Sequence, residues 1–184
     1  MLEQEKQACL ECQRCELRKG CKQVVYGRGN PTARLMLVGE GPGEQEDDQG
    51  LPFVGKAGQL LDKIIQAAGF TLDEVYIANI VKCRPPGNRT PTLEEGRTCI
   101  PWLLRQIQII RPQIMVLLGS TALQNMLDPG LRISASRGKW AERHGMYIMP
   151  TYHPAALLRD EAKKRPVWED FKQIRKMYLE KVKP

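Results

Sequence analysis

Four short apolar runs, at residues 34–38, 75–81, 113–118 and 146–150, constrain this chain more than any other feature. Each is rich in branched side chains and bounded by glycine or proline, as strands are. Between them the apolar period changes to that of helices. Residues 58–68 put Leu61, Ile64, Ile65 and Ala68 on one face and stop at Gly69. Residues 93–110 repeat the pattern through Ile100, Leu103, Leu104, Ile107 and Ile110 up to Pro112, with a kink expected at Pro101. A shorter helix is expected at 121–127. A basic one at 166–183 should turn Val167, Phe171, Ile174 and Tyr178 inward and end at Lys183.

Strands that alternate with helices imply right-handed crossovers and a sheet covered on both faces. The expected fold is α/β, a three-layer α/β/α sandwich on a central four-stranded, mainly parallel sheet. A length of 184 residues suits one domain, with a cysteine-bearing amino-terminal segment at residues 1–25. In such sheets ligands bind beyond the carboxyl ends of the strands. The informative segments are therefore "GEGPG", "KCRPPGNR", "LGST" and "TYHPAALLR".

Charge narrows the function classes. A net charge of +7 favours a polyanionic partner such as nucleic acid or an acidic membrane surface, and equally suits a basic soluble enzyme. The start "MLEQEKQACLECQRC" lacks the apolar stretch of a secretory signal, and no run approaches a membrane span, so the expected location is the cytoplasm. In a reducing compartment the six cysteines are not expected to form disulfides. Cys9, Cys12, Cys15 and Cys21 precede the first strand, while Cys83 follows the second and Cys99 lies on the next helix. A CxxC pair with two distant cysteines suits zinc or a [4Fe–4S] cluster, and spacing alone leaves open which amino-terminal cysteines are ligands. Cys9-x2-Cys12-x2-Cys15 resembles the start of a ferredoxin motif, but no Cys-Pro completes it.

The glycine turn after the first strand is the least expected motif. Gly39, Gly41 and Gly43 suggest a phosphate cradle, yet Glu44 stands where a dinucleotide fingerprint needs its last glycine. Glu40, Glu44, Glu46 and Asp47 would repel a pyrophosphate. A carboxylate in such a turn is better suited to orienting water or stabilising a cation, although Glu44, Glu46 and Asp47 equally suit a solvated helix start. His153 lies just past the last strand, as hydrogen-bond donor or electrophile or as an ordinary surface histidine, whereas His144 beside Gly145 reads as a hairpin-like turn. Asn79, inside the second strand, is either a satisfied structural amide or a reader of a base edge. Phe53 in "GLPFVG" is a capping aromatic or a stacking platform. Arg84 and Arg89 read as phosphate contacts or a plain surface turn, Lys56 and Lys82 as phosphate contacts, and Leu157 and Leu158 before Arg159 suit a core face or a wedge into stacked bases.

Taken together, "GEGPGEQED", "PFVGKAGQLLD", "ANIVKCRPPGNR", "LLGSTA" and "HPAALLR" closely resemble the family 4 uracil-DNA glycosylases, the iron–sulfur members of that superfamily, from about Cys12 to Arg159. The resemblance implies a structural [4Fe–4S] cluster on Cys12, Cys15, Cys83 and Cys99, with Cys9 and Cys21 as extras. It implies Glu40 as the catalytic acidic residue, Phe53 as the uracil-stacking aromatic, Asn79 as the uracil-reading amide and His153 as the histidine of the second motif. The expected uracil pocket also includes Gly41 and Glu46. The expected DNA contacts are Lys82, Arg84, Asn88, Arg89, Ser120, Leu157, Leu158 and Arg159.

The implied reaction flips uracil out of single- or double-stranded DNA and hydrolyses its N-glycosidic bond, leaving an abasic site. No lysine stands out as a Schiff-base nucleophile, so strand-cleaving lyase activity is not expected, and one subunit suffices. The main alternative is a non-catalytic, metal-containing nucleic-acid-binding module. A nucleotide-binding or redox enzyme on the same architecture is disfavoured by the acid-lined turn. A covalent uracil-DNA binder would carry an inserted basic loop before His153, which "SASRGKWAERHGM" lacks.

Overall fold

In the computed structural model, which describes residues 1–182, the four apolar runs become β2 (Leu35–Gly39), β3 (Val75–Asn79), β4 (Ile114–Leu118) and β6 (Met146–Thr151). Two short strands add to them, β1 (Arg28–Gly29) and β5 (Ala141–Arg143). The order across the sheet is β1-β3-β2-β4-β6-β5. The inner four strands are parallel, with Leu37 paired to Ile77 and Val116, and Val116 to Met149. β1 and β5 run antiparallel at the edges, so the sheet has six strands rather than the four expected.

The inner strands are buried on both sides, which is why they read as uninterrupted apolar runs. Successive residues face opposite layers. Met36, Val38, Ala78, Met115 and Leu117 pack with Cys9, Cys99, Leu103 and Ala122, beneath α1 (Leu2–Leu10), α5 (Leu93–Ile110) and α6 (Ser120–Met126). Leu35, Leu37, Ile77, Val116 and Met149 pack with Leu61, Leu157 and Phe171, beneath α4 (Lys56–Ala67), α8 (Pro154–Arg159) and α9 (Lys164–Lys181). The short helices α2 (Leu17–Gly20), α3 (Glu44–Gln49) and α7 (Ile133–Ser136) lie in the connections. No helix among the described residues is long and apolar enough to cross a membrane.

The helix expectations shift in detail. α5 runs through Pro101 and ends at Arg111, whose φ of 55° is left-handed. Leu104, assigned to its inner stripe, is 44 % exposed, and the polar Gln106 is buried instead. Val167, Phe171, Ile174 and Tyr178 of α9 are buried as expected, while Lys183 lies outside the described residues. His144 and Gly145, both at positive φ, form the tight turn between β5 and β6. That is the geometry of a two-residue hairpin loop.

Candidate active site

Beyond the carboxyl ends of β2, β3, β4 and β6 opens a cleft of about 680 Å3, lined by Glu40, Gly41, Glu46, Phe53, Asn79, Ser120, Thr121 and His153, among others. Glu40 follows β2 directly. Its Oε2 accepts a 2.5 Å hydrogen bond from the hydroxyl of Thr121, a buried residue in the first turn of α6. Sequence reasoning missed Thr121. One carboxylate oxygen is therefore held, and the Glu40 side chain is aligned on the cleft wall.

Gly39 before it has no room for a side chain. A Cβ there would stand 2.5 Å from both Asn79 Oδ1 and the Phe53 ring. Glycine thus lets strand, amide and aromatic converge. Asn79, the last residue of β3, is 2 % exposed, and its Oδ1 has no hydrogen-bond partner. An unpaired amide oxygen buried on a cleft wall is uncommon and suits a ligand N–H donor. Phe53, with φ of 55°, stacks on His153 at 5.5 Å between ring centroids. Its loop is pinned by Arg28, another residue missed from sequence, which donates to the carbonyls of Pro52 and Phe53 and pairs with Asp62 at 2.7 Å.

Glu46 lines the cleft, but its carboxylate accepts from the backbone N–H groups of Gly43, Val54 and Gly55. It latches the glycine turn to the Phe53 loop. Asp47, which the sequence allowed to be solvated, is buried and accepts from the backbone of Lys22 and Gln23. Glu44 stays on the surface, 3.8 Å from Arg84.

His153 is the N-cap of α8, and its Nδ1 accepts from the backbone N–H of Ala155 at 3.1 Å. That leaves the proton of a neutral ring on Nε2. Burial, aided by Arg159 and opposed by Glu46, pushes His153 down to about 4. The ring is thus a neutral donor at physiological pH. Two residues upstream, Thr151 donates to Asp170 at 2.6 Å, and Asp170 is also paired with Arg137. This buried group ties the end of β6 to α9.

The expected DNA contacts divide. Asn88, Arg89, Ser120 and Arg159 line the cleft, and Leu158 is 50 % exposed beside it on α8. Arg84 bonds Asn88 at 2.7 Å, and Arg89 pairs with Glu95, which closes the capping box with Thr92 at the start of α5. Lys56 is exposed at the start of α4. Two assignments are corrected. Leu157 is 1 % exposed and packs in the core, because the first turn of α8 faces the sheet. Lys82 is 1 % exposed and holds interior acceptors, so it cannot reach a phosphate. Lys163, unforeseen, lines the cleft with its ammonium over the Tyr152 ring and 3.4 Å from Asp160.

Behind the cleft, Cys12, Cys15, Cys83 and Cys99 line one small cavity together with Cys9, Lys82 and Trp102. Cys12 accepts from Trp102 Nε1 at 3.4 Å, and Cys99 from the backbone N–H of Lys82 at 3.3 Å. Cys21, buried beside Cys83 and within hydrogen-bond reach of its thiol, also donates to the Arg18 carbonyl. Among the described residues no three Cys, His, Asp or Glu side chains converge closely enough, as they stand, to hold a metal ion. The donor set nevertheless fits an iron–sulfur group: four thiols from three segments face a common space, and two already receive N–H donors. Burial pushes the thiols of Cys9 and Cys99 up, to about 12 and about 11.

Residues 26–172 match the model of the uracil DNA glycosylase superfamily. The chain is 44 % identical over 172 residues to a type-4 uracil-DNA glycosylase of Thermotoga maritima, covering 90 % of this chain and 88 % of that protein. It is 42 % identical over 173 residues to one of Archaeoglobus fulgidus, covering 90 % and 87 %. A type-5 uracil-DNA glycosylase of Thermus thermophilus is 32 % identical over 149 residues, covering 70 % and 68 %.

Proposed function

The chain belongs to the uracil-DNA glycosylase superfamily, and from that premise we propose how its cleft takes a uracil flipped out of DNA and hydrolyses the N-glycosidic bond. The protein is a DNA-repair hydrolase that excises uracil. The observation that carries the site assignment is the Oδ1 of Asn79, buried and unpaired on the cleft wall. The pairing edge of uracil presents an N3–H donor between two carbonyl oxygens. Asn79 accepts from N3–H and gives its amide N–H to O4. Cytosine offers the reverse pattern at these positions and leaves the amide unmatched, which is costly in a buried site.

As the bond lengthens, negative charge grows on the uracil O2 and positive charge on the sugar. His153, neutral with its proton on Nε2, donates to that oxygen without itself carrying charge. A donor placed where charge develops is worth about 3 kcal/mol. Glu40, held by Thr121, orients the attacking water and stabilises the oxocarbenium-like sugar. Phe53 moves from His153 to stack on the base, with Gly41 and the turn latched by Glu46 closing the other side. Asn88, Arg89, Ser120 and Arg159 hold the phosphates, and Leu158 fills the gap left in the stack. Arg84 supports Asn88.

Among the described residues no lysine is placed for a Schiff base: Lys82 is buried, and Lys163 is engaged by Asp160 and Tyr152. We infer that the product is an intact abasic strand, and that one subunit acts on single- or double-stranded DNA. Cys12, Cys15, Cys83 and Cys99 would hold a [4Fe–4S] cluster. Its part when bound is to cross-link the amino-terminal segment, the loop after β3 and α5. We place this reaction in the cytoplasm, with the chromosome.

Purified protein is incubated with an end-labelled oligonucleotide carrying one deoxyuridine, and half is then treated with alkali. Strand scission at the uracil only after alkali, lost in Glu40→Gln, is the expected result. Uracil left in place by the wild type would overturn the reading in favour of a non-catalytic binding module.

A further inference from the structure

Lys82 stands between the cysteine cavity and the base-reading strand end. Its ammonium donates to the backbone carbonyl of Asn79 at 3.0 Å and to Gln106 Oε1 at 2.6 Å. Gln106 in turn donates to the Tyr26 carbonyl and the Tyr76 hydroxyl, so the network is anchored to β3 and to the segment leading into β1. On its other side, the backbone N–H of Lys82 donates to the sulfur of Cys99. No carboxylate is ion-paired with Lys82 among the described residues; its head also faces the Tyr26 ring, 5.7 Å away, and has the thiols of Cys9 and Cys99 as charge neighbours.

A fully buried ammonium held only by neutral acceptors is an expensive arrangement, costing several kcal/mol unless an anion is near. A methionine would fill the same space at less cost. Lys82 lines the same cavity as the four cysteines, so an anionic group held by them would lie beside its charge. An iron–sulfur core bound by four thiolates is net anionic, and hydrogen bonds and charges around it set its stability.

We propose that Lys82 is the buried counter-charge of the iron–sulfur group and the strut that fixes the Asn79 backbone, so that one side chain couples cluster retention to uracil recognition. The proposal rests on the cluster assignment given above. The Lys82 ammonium holds the backbone of Asn79 and acts on the base through it, so Lys82 is a positioning residue.

Two variants separate its roles. Lys82→Met removes both the charge and the donor, whereas Lys82→Gln removes the charge and keeps an N–H for the Asn79 carbonyl. Iron and sulfide per chain, and the decay of visible absorbance under a chelator, report the cluster. Single-turnover excision and half-saturating DNA concentration, measured on iron-replete protein, report the site. Both variants should release iron about tenfold faster than wild type or more, the effect of losing a charged partner. Only Lys82→Met should also slow excision, by a similar factor, with half-saturation nearly unchanged. If Lys82→Met does not fold, iron release from Lys82→Gln decides the counter-charge alone. Iron-free wild type would remove the cluster assignment and this proposal with it. Iron-loaded wild type with either variant retaining iron at the wild-type rate would overturn the proposal and leave the assignment standing.

Discussion

Thr121 and Glu40 meet across 81 positions of sequence through one hydroxyl–carboxylate bond. A hydrogen bond to a charged group is worth about 1.5–3 kcal/mol, so Thr121→Val should slow the chemical step roughly ten- to hundredfold. Thr121→Ser, which keeps the hydroxyl, should restore most of it, and neither should change DNA affinity; single-turnover kinetics with a binding isotherm reads both. In a Glu40→Ala background the valine substitution should cost nothing further. His153 has a pH signature. Its folded value of about 4 lies below the usual 6.5, so as pH falls through this range the unfolded chain takes up a proton that the folded chain refuses. Stability is thus full above pH 6.5 and declines toward pH 4, by up to about 3 kcal/mol from this group. His153→Asn should flatten that decline in urea titrations. Glu40, Asn79, Phe53 and His153 were legible as candidates because each interrupts a strand end or turn with an unexpected side chain. Thr121 was not, since nothing local marks it as the partner of Glu40. Lys82 was misread because a lysine beside arginines after a strand looks superficial, and its burial depends on Gln106 arriving from α5.

Elements position these side chains through a few buried polar ties. Asp170 on α9 binds Arg137 and Thr151, and Thr151 ends β6 two residues before His153. Asp170→Ala strands the Arg137 charge and the Thr151 hydroxyl, so it should cost about 3–5 kcal/mol in urea unfolding. Glu46 plays the same part for the first turn. Glu46→Ala frees three backbone N–H groups and should speed hydrogen exchange at Val54 and Gly55 while lowering the excision rate. The parallel strands were legible because burial on both faces leaves an unbroken apolar run. β1 and β5 were not, since strands of two and three residues are too short to show a period and exist only through pairing with β3 and β6. Leu104 was placed inward by spacing, but α5 instead turns Gln106 to the buried side.

At the scale of the molecule, one end of a sheet covered on both faces gathers the chemistry. A net charge of +7 carries the approach to DNA, and affinity should fall steeply with salt while the single-turnover rate at saturation does not. Selection of uracil by the cleft rests on Asn79. The direct measurement is single-turnover release of free base from matched duplexes carrying uracil or cytosine at one position, comparing wild type with Asn79→Leu, which keeps the shape and removes the amide. Wild type should release uracil and spare cytosine, and the variant should lose at least about 2–3 kcal/mol of that rate with DNA affinity little changed. Uracil release by Asn79→Leu at the wild-type rate would contradict the account.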